Sequence, residues 1–174
     1  MSRRLMVAIA AIAVLGASTT AAVAAKKKPA AKTIRIVGSL DFKPGKSVTD
    51  DQRFQARRIQ AKSGGTVKFV NKAKTEDPHT ISVVETLPKG FDCEECGAIE
   101  ESHQLDETTG MPGVIFADAG GDGGFNTAGD SMVVSPPGAP GSSGEIKVTA
   151  PAGTTLKLLC IIHPWMQAKL KVTG

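Results

Sequence analysis

The chain has 174 residues, which argues for one domain, and its 41% hydrophobic and 22% charged content is ordinary for a globular protein. Aromatic residues make up only 4%, with no Tyr and one Trp, which speaks against a nucleic-acid binder built on base stacking. The formal charge is +4 but unevenly distributed, so no general anionic partner follows from it.

Residues 1–25 read as an export signal. Arg3 and Arg4 form a charged start, Leu5 to Leu15 is an apolar run, and Ala22-Val23-Ala24 or Val23-Ala24-Ala25 offers small residues for cleavage. The apolar run is shorter than the ~20 residues a membrane span needs. Ser2-Arg3-Arg4-Leu5-Met6 is also similar to a twin-arginine signal. The expected location is therefore outside the cytoplasmic membrane: periplasmic, cell-envelope or secreted. Residues 26–32, from Lys26 to Lys32, form a basic, Ala/Pro-containing linker that could touch an anionic membrane surface.

The folded domain is expected over 33–174. Thr33 to Gly38 alternates and is β-branched, as a strand does. Asp41 to Ser63 is polar, with a turn signal at Pro44-Gly45, and Arg53 to Lys62 fits a short helix or an extended segment equally well. Thr66 to Asn71 is a further alternating strand. A charged loop follows, and Pro78 to Val84 resumes extended structure, placing His79 where a loop re-enters a strand.

Residues 85–144 read as an acidic, Gly- and Pro-rich insertion rather than regular sheet. It carries Asp92, Glu94, Glu95, Glu100, Glu101, Asp106 and Glu107, a Cys93-Glu94-Glu95-Cys96 pair, and His103. Three readings of the C-x2-C stand side by side: a local disulfide, which suits an exported chain; a redox-active dithiol, whose usual strand–helix setting is missing; and a second metal site drawing on His103 or an acid. Pairing Cys93 with Cys96 would leave Cys160 as a free thiol. The acidic run reads as a solvated loop or as a docking patch for a basic partner. Ala117 to Asp130 is rich in Gly and Asp, which hints at calcium, but it does not match the EF-hand spacing. Met132 to Val134 has the makings of a short strand. Alternating strands return at Glu145–Thr149, Thr155–Cys160 and Ala168–Val172. Strands divided by turn signals, without a long amphipathic helix, argue for a β-sandwich.

The densest chemistry lies in Cys160-Ile161-Ile162-His163-Pro164-Trp165-Met166. A thiolate, an imidazole and a thioether at C-x2-H-x2-M spacing are soft ligands that favour copper or zinc over magnesium or calcium, and the thioether favours copper. The set lacks one nitrogen donor, which His79 can supply. The expected metal ligands are His79, Cys160, His163 and Met166.

The last thirty or so residues resemble the C-terminal part of the cupredoxins, the plastocyanin/azurin family of blue-copper proteins. The strand–Cys160-x2-His163-x2-Met166–strand run is similar to the short ligand loop of amicyanin-type members, and Gly65–Val84 resembles the family segment that carries the first His. The resemblance implies an all-β, Greek-key sandwich with a long loop-rich insertion, holding one copper ion. His79 and His163 would give imidazole nitrogens, Cys160 the thiolate and Met166 a long axial bond. It further implies an electron carrier rather than an enzyme, with His163 near the surface as the electron port and redox partners docking at the His163/Trp165 patch or the acidic insertion. An exported copper storage, delivery or resistance protein is the other class the donor set allows. One departure stands out: many family members have Asn directly after the first His, where it braces the ligand loop. This chain has Thr80, so the brace must be remade by a hydroxyl or be lost.

Overall fold

The computed structural model describes residues 31–106, 108–109 and 111–174. The export signal and nearly all of the basic linker lie outside them. In chain order the elements are β1 (Lys32–Val37), β2 (Leu40–Lys43), β3 (Ser47–Asp50), β4 (Arg53–Phe54), β5 (Arg58–Lys62), β6 (Thr66–Asn71), β7 (His79–Val84), α1 (Cys96–Ser102), β8 (Phe116–Ala117), β9 (Gly124–Phe125), β10 (Ser131–Val134), β11 (Ser143–Val148), β12 (Thr155–Leu159) and β13 (Gln167–Thr173). Among the described residues no helix is long and apolar enough to cross a membrane.

The strands form two packed sheets, ordered β4-β1-β6-β11-β9 and β5-β13-β12-β7-β10-β8, with β2 and β3 as a separate hairpin. The chain crosses between sheets from β6 to β7, from β10 to β11 and from β11 to β12. This is an all-β, Greek-key sandwich. The alternation that marks its strands in the sequence is the alternation of burial. In β6, Val67 and Phe69 point inward; in β11, Ile146 and Val148; in β13, Ala168, Leu170 and Val172. Phe69 packs between Phe54 and Phe125, with ring centroids 6.5 and 6.4 Å apart. Each such ring, fully buried, stabilises the fold by roughly 1.5–3 kcal/mol.

The segment 53–62 is extended: β4 and β5 bury Phe54, Ile59 and Ala61. Within 85–144 the chain does more than loop. All four residues of β10 are buried, and it pairs with both β7 and β8. A four-residue strand between Gly- and Pro-rich stretches has too little length to show its period, but two paired neighbours and a covered face hold it. Cys93 and Cys96 are joined by a disulfide just before and at the start of α1, which leaves neither sulfur free for a second metal site. His103 is buried, with Nδ1 bonded to Val114 O at 2.7 Å and Nε2 to Ser131 Oγ at 2.8 Å.

All six residues of β7 are buried, because both of its faces are covered. Ile81 and Val83 join the main core. Val84 joins a second cluster with Ile99 of α1 and Leu159. The part of the chain richest in acids thus roofs the strand that carries His79.

Candidate metal centre

Three donors from two distant stretches meet at one end of the sandwich. His79 opens β7, Cys160 directly follows β12, and His163 lies in the turn before β13. Their ligand atoms lie within 4.8 Å of one another, and all three residues are buried. Cys160 Sγ is 3.8 Å from His79 Nδ1 and 3.7 Å from His163 Nδ1. Two donors bonded to one small ion at ~2.0 Å (nitrogen) and ~2.3 Å (sulfur) keep separations of this size.

The backbone fixes this arrangement. Cys160 N–H donates to Met166 O at 3.0 Å and Met166 N–H donates to His163 O at 2.8 Å, closing the loop on itself. Met166 is fully buried in the same apolar cluster as Cys160. Thr80 ties the two stretches together. Its N–H donates to Cys160 Sγ at 3.4 Å, and its Oγ1 accepts the Ile161 N–H at 2.9 Å. The hydroxyl therefore makes the inter-segment brace that the sequence left open.

The electrostatics describe a site built for something other than protons. His79 is fully buried; its Nε2 has no partner and its Nδ1 faces only the thiol. Burial, then the neighbouring His163, pushes its pKa down to about 4. Burial also lowers His163. The Cys160 thiol is pushed up by burial, against the pull of the Thr80, His163 and Ile162 backbone N–H groups. Buried polar groups normally find partners, and leaving one unpaired costs about 1–3 kcal/mol. Here both imidazole Nδ1 atoms converge on a single thiol at 3.8 and 3.7 Å, contacts weaker than an ordinary hydrogen bond, and a cation held between the three atoms would satisfy them better. The residues present fit a soft or borderline metal ion.

His163 lies just beneath the surface. It is only 7% exposed, because Gln52 covers it, with the amide Nε2 3.3 Å from His163 Nε2. The same amide nitrogen donates to Asp50 Oδ2 and to Asp77 Oδ2, each at 3.1 Å, and Gln52 Oε1 accepts from Thr75 Oγ1 at 2.9 Å. Gln52 can sit there because Gly38, at φ +121°, lies against the backbone of Asp51 and Gln52; a Cβ at Gly38 would meet Gln52 Cα at 2.5 Å. No local motif marks Gln52, whose partner is 111 residues away. The exposed aromatic is Trp165, 39% accessible, whose ring meets His163 edge-on with centroids 5.2 Å apart. Phe91, 76% accessible, meets Trp165 in turn at 5.6 Å.

No protein-family model and no curated sequence matches the chain. Among solved structures it is similar to the dithionite-reduced auracyanin of Roseiflexus castenholzii, at 20% identity over 83% of this chain and 99% of that one, with a TM-score of 0.43. It is similar to a purple cupredoxin from Nitrosopumilus maritimus, at 13% identity over 82% and 99%, TM-score 0.40. It is also similar to auracyanin A, a "blue" copper protein from Chloroflexus aurantiacus, at 18% identity over 81% and 99%, TM-score 0.40.

Proposed function

We propose that this chain is a cupredoxin that holds one copper ion in a type 1 (blue) site and carries single electrons outside the cytoplasmic membrane. One observation carries the reading. A thiol and two imidazoles, drawn from stretches 81 residues apart, converge in one buried pocket, with their ligand atoms within 4.8 Å of one another. Copper, when bound, supplies a one-electron couple. The residues supply the rest. Cys160 gives up its proton and binds as thiolate, the form that a soft metal selects. His79 and His163 would hold the ion through the nitrogens that face the thiol, and Met166, buried in the same cluster, would offer a weaker thioether donor.

The Thr80 N–H supports the thiolate, as hydrogen bonds to a coordinating sulfur do when they tune a potential. Closed backbone bonds hold the loop in one shape, so its donors need little rearrangement when charge changes. Burial keeps water off the three donors, which suits a carrier more than a hydrolytic thiol site. Export is supported by the leader-like residues 1–25 and by the Cys93–Cys96 disulfide, which belongs to an oxidising compartment.

Cu(II) added to the purified protein should give an intense visible charge-transfer band and a type 1 EPR signal. Cys160→Ser should abolish both, and Met166→Leu should keep the colour and raise the reduction potential. Copper binding with an unchanged spectrum in Cys160→Ser would rule out the ligand set. A colourless Cu(I) complex without a reversible redox wave would turn the reading to copper storage or delivery.

A further inference from the structure

With His163 covered by Gln52, the surface offers another approach to the site. Ring centroids step from Phe91 to Trp165 to His163 to His79 at 5.6, 5.2 and 4.8 Å, from open solvent to the buried donors. Gln167 holds the two surface segments together, its Nε2 donating to Pro88 O and Pro164 O, both at 2.9 Å. Beside Trp165 lies a cleft of about 480 Å³ whose walls include Leu87, Gly90, Arg57, Arg58 and Lys169.

No carboxylate lines that cleft. Lys169 lies opposite Arg58 across the β5–β13 pair, and its N–H donates to Arg57 O at 2.9 Å, so the three cations are immediate neighbours. All three are exposed, and among the described residues none is in an ion pair. Three like charges side by side repel one another, and that arrangement is relieved when an anionic surface covers them. An apolar, aromatic centre flanked by unpaired charge is the make-up of a transient protein interface, where Trp and Arg do most of the binding.

The acidic run answers to neither need. Glu95 is occupied in accepting the N–H groups of Glu85 and Thr86, and Glu100 lines a different cleft, with Cys96 and His103.

We propose that the Trp165–Phe91 pair, flanked on the Trp165 side by Arg57, Arg58 and Lys169, is the docking face for an acidic redox protein. The purpose assigned to the face rests on the copper reading; the binding itself does not. A lipid surface is the weaker match, because the cations wall a concave cleft and the ring series leads inward to the donors. Electrostatic steering of this kind raises association rates and weakens with salt.

The test is an amide chemical-shift titration of the folded, labelled protein, metal-free and Cu(I)-loaded in parallel. The probes are a soluble acidic b-type cytochrome, a basic c-type cytochrome, and phosphatidylglycerol vesicles. The acidic cytochrome should shift the amides of Arg58, Gly90, Phe91, Trp165 and Lys169 in both forms, and bind about tenfold more weakly at ~0.15 M than at ~0.01 M salt. The triple variant Arg57→Glu/Arg58→Glu/Lys169→Glu should lose at least tenfold in affinity. Phe91→Ala, at a loop position mostly in solvent, should lose severalfold with its fold intact. Tighter binding of the basic cytochrome, shifts centred on Glu94–Glu101, unchanged affinity in these variants, or shifts at this face from vesicles alone would each overturn the proposal. A protein that binds the acidic cytochrome but takes up no copper would sink the electron-carrier reading and leave the docking face standing.

Discussion

Two loops of this chain hold metal-ligand residue types at close spacing, and they use them in opposite ways. In 118–130 every carboxylate is turned onto its own loop. Asp118 accepts the N–H groups of Asp122 and Gly123 at 3.2 and 2.7 Å. Asp122 accepts from Gly124 N at 3.1 Å and from the Asn126 amide. Asp130, fully buried, accepts from Gly120, Asn126 and Thr127 at 3.1, 2.9 and 2.8 Å. In 160–166 the donors instead point at one another and at His79. A carboxylate that has collected three N–H bonds has already been satisfied by the chain. A buried imidazole whose neighbours are a thiol and a second imidazole has not. Donors without partners, rather than donors in number, mark the place for an ion.

That contrast can be broken most sharply at Asp130. Asp130→Ala removes the buried carboxylate that accepts three part-buried, charge-assisted N–H bonds and should cost on the order of 3–5 kcal/mol in urea unfolding, with copper affinity unchanged in the folded fraction. A loss of copper affinity comparable to that of Cys160→Ser would place an ion in the wrong loop.

The next effect is a pH dependence of the metal-free protein. His79 takes up a proton near its ordinary value of 6.5 when unfolded but only near about 4 when folded. The unfolded state therefore binds more protons between those values, and stability falls as pH drops through them, by about 3 kcal/mol in all. Unfolding midpoints measured from pH 7 to pH 4 should show this slope, and His79→Leu should flatten it. A slope unchanged in His79→Leu would show that the imidazole is not the strained group. Metal should steepen the acid sensitivity, because protons and the ion compete for the same atoms.

The smallest effect is at the brace. Thr80→Val removes the acceptor of the Ile161 N–H and should cost about 1–2 kcal/mol and speed copper release, whereas Thr80→Ser should hold both near the parent values. Equal behaviour of the two variants would deny the hydroxyl its part.

The sandwich and the ligand loop were legible because each has a short-range signature: period-2 burial in β1, β6, β11 and β13, and three donors within seven residues around Cys160. His79 was legible only through what that loop lacked. Other features had no such signature. β10 was legible as a short strand at Met132–Val134, but its pairing on both sides and its full burial were not. Gln52 sits in an ordinary polar stretch and acquires its role from a contact across the fold, with Gly38 making the room. Phe91 and Trp165 are far apart in the chain and meet only because Pro88 and Pro164 both bond to Gln167. The Gln52 cover over His163 was hidden for the same reason: what covers a residue is decided by segments that its own neighbourhood does not contain.

Gln52 also bears on how the protein comes together. It links the chain after β3 to the 75–77 loop and to His163, while His79 and Cys160 join the middle of the chain to its end. No fragment of the chain contains the whole pocket. The 160–166 stretch alone offers three donors, but the complete set forms only when β7 and the end of the chain have met. The ion is therefore held most tightly by the native state, and the stabilisation it gives is shared by the parts that must pack to bring His79 to Cys160.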